Sequence, residues 1–399
     1  MKKFLVIAVT LILACTFASP SLAANYDNYV ETAEQYVAAV NQQNISEMIT
    51  LFTSNQQDIL TRVYTNPENI QNKIGYLNIK NTTLVDLQEI SLESYAPFTS
   101  LEQYTSLYGD SLKAYLLSED CSVYHENKYN YNGINYSILL LANENGEIKI
   151  VEDAAVPLAL LDNLIKARSA NDIQSLQQAR NIAYARALGV ITNAEGTILD
   201  INDGEHDIDE SDYIGTHFSH YPITADLDYP HVRPETIDVL ISNTGTIKTV
   251  DFNLYCKNVL PNEWYPTWPE ESLKAGALCV KMVGWFRVEA PKYTGYDITD
   301  TTGDQKYIEN STTTATSSAY NEVINLSMHC TIAQGGYLFY AAYLSGTSGQ
   351  IGEESSGTVL QHGTKKLDDD GYTYKNILRY YYDGSQRTYG NDIAFYYTT

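Results

Sequence analysis

Apolar residues in the first third of the chain recur at helical spacing. Val30, Ala33, Tyr36, Val37 and Val40 are followed by Met48, Ile49 and Phe52, which predicts helices between Tyr29 and Leu60. Asn44-Ile45-Ser46-Glu47 reads as the start of a second helix. The period then changes. Ile74 to Ile90 alternates, Cys121 to Tyr131 is rich in strand formers, and Ile134 to Leu141 and Ile148 to Val151 flank the turn Asn143-Glu144-Asn145-Gly146. Helices followed by an antiparallel sheet define an α+β module. Residues 158–190 read as helical. Farther on, Thr236 to Ser242 and Thr246 to Leu254 flank Asn243-Thr244-Gly245, a hairpin signal. A short strand is expected to end in a loop that carries Glu263 just before Trp264 and Trp268, and a helix is expected over Pro269 to Phe286.

The chain has 399 residues, of which 44% are hydrophobic. That is too long for one ordinary domain and apolar enough for real cores. The expected division is a signal peptide at 1–24, an α+β module at 25–165, a helical and acidic linker at 166–230, and a mixed α+β domain at 231–390. In the signal segment Lys2 and Lys3 precede the apolar run Phe4 to Ala14, and Ser21-Leu22-Ala23 offers a cleavage site. Lipoprotein processing at Cys15 is the less favoured alternative. No later segment reads as a membrane span. The expected location is outside the cytoplasm, secreted or associated with a cell wall.

A formal net charge of -24 disfavours nucleic acid as a partner, because phosphates would be repelled. The chain has 34 tyrosines against 9 phenylalanines. Tyrosine joins an apolar face to a hydroxyl and suits sugars, although a general preference for Tyr explains the count equally well. Asp200 to Asp212 is densely acidic and lacks the calcium-loop spacing, so it reads as solvated linker. His206, His217, His220 and His231 lie nearby, yet a metal site there is not the favoured reading. Beyond Cys15, Cys121, Cys256, Cys279 and Cys330 are buried thiols or disulfide partners. A Cys256–Cys279 bridge would brace the Glu263 loop.

Glu263 is the chemical focus. A lone acid among aromatic residues can be held protonated near neutral pH, because burial disfavours the charged form. Such an acid can protonate a glycosidic oxygen. The plainer alternative is a helix cap or an ion pair with Lys274.

Val259 to Gly284 resembles the core motif of the stage II sporulation protein D family, which includes amidase enhancers. The matching residues are Val259, Pro261, Glu263, Trp268, Pro269, Glu271, Leu273, Lys274, Ala275 and Ala277. Tyr296 to Thr301 with Gln305-Lys306-Tyr307, Ala342 to Gly349, and Gly371 to Gly384 are similar to three further motifs of the family, in the same order. The N-terminal module resembles the nuclear-transport-factor-2-like cone by pattern alone, and no set of polar groups inside that cone stands out from the sequence.

The resemblance implies a peptidoglycan lytic transglycosylase that leaves 1,6-anhydro-muramoyl ends, with Glu263 as general acid and base. The alternative it admits is a non-catalytic, peptidoglycan-binding enhancer of a cell-wall amidase. Glycan strands are the expected partner. Trp264, Lys274, Gln305, Tyr307, Tyr343, Ser345, Ser348 and Gln361 are the expected substrate-binding residues. No cofactor is expected. Some relatives hold zinc through a cysteine and a histidine near the Gln-x-Tyr strand. Asp300 to Tyr307 contains neither, so no metal is expected there. The chain also departs from the family pattern. Ser356 to Gly363 keeps Gln361 and Gly363 of a glycine-rich motif but places Thr358 and Leu360 where that motif has glycine and serine. The segment before it is also short.

Overall fold

The computed structural model describes residues 20–167, 173–202, 232–330 and 336–397. Most of the signal segment, the bulk of the acidic stretch and His206, His217, His220 and His231 lie outside the described residues.

The fold is α+β. It opens with α1 (Pro20–Asn41), α2 (Ile45–Thr50), α3 (Ser54–Thr65) and α4 (Pro67–Gln71). Asn44 caps α2 through its side chain, which accepts from the Glu47 N–H. A four-stranded antiparallel sheet follows in the order β1 (Ile79–Ile90), β2 (Lys113–Val123), β3 (Gly133–Glu144), β4 (Glu147–Ala155). Between β1 and β2 lie two short helices that the pattern did not predict, α5 (Leu92–Tyr95) and α6 (Leu101–Tyr108). Asn145 and Gly146 take positive φ at the β3–β4 turn, as the turn chemistry requires.

The central strands β2 and β3 are buried on both faces over much of their length. Tyr115, Leu117, Leu139 and Leu141 share a cluster with Tyr36, Val40 and Val63 of the helices and Phe52 between α2 and α3. The alternate residues Ala114, Leu116, Ile138 and Leu140 join a second cluster that runs on to Ile393. Strand alternation thus assigns each face its own partner. The second cluster includes α7 (Leu158–Ala167) and α8 (Ile173–Ala187), where the sequence predicted helix throughout. A small hairpin follows, β5 (Val190–Thr192) with β6 (Ile198–Ile201).

The C-terminal part begins with β7 (Thr236–Ile241) and β8 (Thr246–Asp251), the hairpin expected around Asn243-Thr244-Gly245. The predicted continuation of this strand to Leu254, and a strand at Val259, do not occur. Asp251 instead accepts from the Leu254 N–H and caps α9 (Phe252–Glu263). Phe252, Tyr255, Cys256, Val259 and Leu260 form its buried face at helical spacing. Pro261 falls in its last turns and does not prevent it. Next comes α10 (Glu270–Glu289), whose residues Ser272 to Val288 are all buried. Lys281 on it donates to the carbonyls of Ile324 and Leu326, which offsets the burial of its ammonium.

Around α10 lie β9 (Ile298–Thr299), α11 (Thr314–Val323), β10 (Leu326–Cys330), β11 (Tyr337–Leu338), β12 (Tyr343–Leu344), β13 (Val359–Leu360), α12 (Gln361–Asp369), α13 (Tyr374–Tyr382) and β14 (Ile393–Tyr397). Strand β9 pairs parallel with β7, and β10 lies between β11 and β14. Cys256 and Cys279 are separate buried thiols rather than a bridge, as are Cys121 and Cys330. No helix among the described residues is long and apolar enough to cross a membrane.

One segment ties the two parts together. The Ala155 N–H donates to the carbonyl of Pro291. Tyr293 donates its hydroxyl to Asp304, which also takes bonds from the Thr299 N–H and hydroxyl and pairs with Lys292. Two residues later the same segment reaches Glu263.

Candidate functional site

Glu263 is the last residue of α9, so its carboxyl stands at the end of a rigid helix rather than on the loop that the sequence suggested. It is half-buried. Its Oε1 accepts from the Lys306 N–H at 2.7 Å and its Oε2 accepts from Gln361 Nε2 at 3.0 Å. Burial pushes its pKa up from the usual carboxylate range, and the two donors, with the Lys306 charge, pull it partly back. The partial negative charge at a helix C-terminus acts in the same direction as burial. The result is a carboxyl with a raised pKa, fixed in orientation by one backbone and one side-chain donor. Neither the cap nor the Lys274 ion pair describes it.

The donors come from distant segments, and a short parallel ladder brings one of them in. Tyr343 pairs with Val359 and Leu344 with Leu360, so the serine-rich loop after β12 runs beside the start of α12. The His362 N–H donates to the Ser345 carbonyl across that join. Thr364 locks the underside. Its hydroxyl accepts from Trp264 Nε1 at 3.1 Å, meets Ser272 Oγ at 2.7 Å and donates to the Gln361 carbonyl.

Several expected binding residues prove to be supports. Trp264 is fully buried, with its ring edge-on to Tyr343 at 4.9 Å. A Cβ on Gly276 would lie only 2.5 Å from that indole, so a hydrogen is all that fits there. Trp264 therefore cannot stack on a sugar. Gln305 is fully buried and its amide is saturated. It accepts from Tyr255 and donates to the Val280 carbonyl and to the Tyr343 hydroxyl. It fixes Tyr343 and cannot grip an N-acetyl group. Tyr307 is buried in a stack on Tyr255 at 5.5 Å. Lys274 does not reach Glu263. It sits within 3.0 Å of Glu270, Glu271 and Glu322, and the three carboxylates hold its pKa up against desolvation.

Other expectations place side chains where a ligand can meet them. Ser345 and Ser348 are exposed, Tyr343 is half-buried, and Gln361 touches Glu263 directly. Tyr343 has its pKa raised well above the phenol range by burial first and by Glu263 second. The sequence reading missed an aromatic platform. Tyr265 is 61% exposed and lies 5.1 Å from Trp268, which in turn lies 5.0 Å from His362. Tyr265 stands between the two tryptophans that drew attention first, and His362 follows Gln361 directly. Their adjacency was the available signal. Among the described residues no group of three or more His, Cys, Asp or Glu side chains is placed to hold a metal ion.

Residues 241–334 match the model of the SpoIID family, stage II sporulation protein. No curated protein matches the chain. The SpoIID match spans α9, Glu263, α10 and the Gln305–Tyr307 segment, while Tyr343, the serine loop and Gln361 lie beyond it. The SpoIID resemblance read from the motifs is thus met over this stretch, and it connects the C-terminal part with a cell-wall-related role.

Proposed function

We propose that the protein is exported and cleaves peptidoglycan glycan strands by lytic transglycosylation, with Glu263 as the acid and then the base. The observation that carries this reading is the Glu263 carboxyl itself, half-buried, raised in pKa and held by the Lys306 N–H and Gln361 Nε2. In its protonated form it delivers the proton to the glycosidic oxygen as the C1–O bond breaks. The resulting carboxylate takes the proton of the muramoyl C6 hydroxyl while that oxygen bonds to C1. The proton given in the first step is regained in the second, and no water is consumed. One carboxyl therefore suffices, in contrast to the two that hydrolytic glycosidases use. The exposed Tyr265 beside Trp268 and His362 supplies a stacking surface for a sugar ring next to this acid.

A second reading has one observation in its favour. Thr358 and Leu360 stand where the resembling family has glycine and serine, beside the Gln361 that touches Glu263. A domain altered there suits a glycan-binding enhancer of a cell-wall amidase. The two readings separate in a digest of peptide-stripped glycan strands by the protein and by Glu263→Gln, with products read by mass spectrometry. Anhydro-muramoyl ends from the unaltered protein alone establish transglycosylation. No product from either, with the protein still sedimenting with cell walls, establishes the enhancer reading.

A further inference from the structure

A cavity with about 820 Å³ of atom-free space, its open mouth included, lies between the N-terminal sheet, α8 and the Pro291–Thr294 segment, and Glu263 does not line it. Its polar lining residues did not stand out from the sequence. The face of β2 that carries Tyr115 and Leu117 toward the helices continues with Glu119 and Cys121, and both line the cavity. Asp153 of β4 joins them, its Oδ2 accepting from Tyr36 at 2.7 Å and Tyr76 at 3.0 Å.

The wall groups are incompletely partnered. Among the described residues, Asp153 Oδ1 is buried with no hydrogen-bond partner. So is Nδ2 of Asn130, a residue only 7% exposed. The Ser137 hydroxyl faces Asp153 without forming a bond of normal geometry. Buried donors and acceptors left in this state are costly, and a ligand that meets them removes the cost.

Charges of both signs line it. Glu119 and Asp153 face each other closely enough that the Asp153 charge helps to raise the Glu119 pKa, after burial. Neither pairs with a cation among the described residues. Lys128 and Arg186 also line it. Lys128 lies between Asp238 and Asp297, each at 2.8 Å. Arg186 donates Nη1 to the Glu289 carbonyl at 2.9 Å and forms no direct ion pair among the described residues, although the Asp297 and Glu289 charges act on it. A neutral polyol would leave Arg186 and the Glu119–Asp153 pair without a direct partner, a simple amine would leave Arg186 so, and a simple acid the two carboxylates.

We propose that this cavity binds a small zwitterion of amino-acid to dipeptide size, its ammonium toward Asp153 and Glu119 and its carboxylate on Arg186. The walls are mixed, with Glu119, Asp153 and Arg186 set among Ile79, Ala154 and Leu161. Pro291, Tyr293 and Thr294 of the C-terminal part complete the lining, so the site exists only in the whole chain.

Isothermal titration of the full protein tests this with L-alanine, D-alanine and D-alanyl-D-alanine. L-alaninamide, which lacks the carboxylate, and N-acetyl-L-alanine, which lacks the ammonium, serve as single-charge analogues. At least one zwitterion is expected to bind roughly tenfold or more tightly than both analogues, as loss of a charge-assisted bond implies. Arg186→Gln and Asp153→Asn should each remove that preference, and Arg186→Lys should keep part of it. Thermal unfolding of each variant confirms that it is folded, and Asn130→Ala provides a further weakening variant should Asp153→Asn fail that check. Equal binding of alaninamide would make the site a cation site, equal binding of N-acetylalanine an anion site, and either overturns the proposal. So does the absence of heat from all probes at millimolar concentration.

Discussion

Gln361 donates its amide to the Glu263 carboxyl across 3.0 Å although 98 residues separate them. That bond favours the carboxylate over the acid, so its loss raises the Glu263 pKa further. A general acid works only while protonated, and activity falls as pH rises through its pKa. Gln361→Ala is therefore expected to move the alkaline limb of the rate profile upward, and Gln361→Glu more so. Glu263→Gln should lower the rate by about 10² to 10⁴ at every pH. Glycan digestion across pH, read by product mass, measures both, and an alkaline limb that does not move in Gln361→Ala would remove Glu263 from the acid role.

Trp264 and Tyr265 are neighbours with opposite expected fates. Trp264 is buried against Gly276 and Tyr343, so Trp264→Ala should cost about 3–5 kcal/mol of stability. Tyr265 is exposed, so Tyr265→Ala should leave stability within about 0.5 kcal/mol. Its effect should appear in glycan-strand affinity, a loss of roughly two- to tenfold from one aromatic contact. Denaturant melts and cosedimentation with cell walls give the two readouts. An unchanged affinity in Tyr265→Ala would dismiss the platform as a sugar surface.

Gly276→Ala adds one methyl where the indole of Trp264 would stand 2.5 Å away. The ring cannot withdraw, because its Nε1 is tied to Thr364. The substitution is expected to cost about 1–3 kcal/mol and to lower activity by tilting the Glu263 end of α9. Alanine at 276 with an unchanged melting temperature would show that the cradle is looser than its distances imply.

Stability should also depend on pH through the N-terminal module. Glu119 is pushed up to about 7 by burial first and by the Asp153 charge second. Its unfolded value is near that of a free glutamate, so between those two values the folded state binds the extra proton. Stability is then highest below the unfolded pKa, falls as pH rises, and levels off above about 7. Glu119→Gln mimics the protonated form and keeps an oxygen for Thr82, so it should flatten this slope and stabilise the protein at pH 8. Asp153, also raised, leaves a residual slope. Urea melts at pH 5 and pH 8 for both proteins check the expectation, and parallel curves would contradict it.

The legible parts of this chain were those fixed by local chemistry. Asn243-Thr244-Gly245 and the Asn145-Gly146 turn impose hairpins on any context, and both occur. Glu263 stood out because its aromatic neighbours are adjacent in sequence. The element that carries it was misread because Pro261 and the β-branched Val259 suggested a strand and loop. The competing signal was present. Phe252, Tyr255, Cys256, Val259 and Leu260 recur at helical spacing behind the Asp251 cap. The role of Gln305 was not readable, and that of Lys274 only in part, since Glu270 and Glu271 lie one turn away on the same helix and Glu322 does not. Whether a side chain faces a cleft, a saturated core or three carboxylates depends on contacts far away in sequence, as Tyr343 and Glu322 show here.

The segment from Pro291 to Lys306 lines the N-terminal cavity with Tyr293, closes on Asp304, and ends by donating to Glu263. A strap anchored at both ends transmits displacement rather than absorbing it. If filling the cavity changes how tightly a glycan strand is held, thermodynamic reciprocity fixes the converse. The strand must then alter zwitterion affinity by the same factor, and titrations run in either order must return one coupling constant.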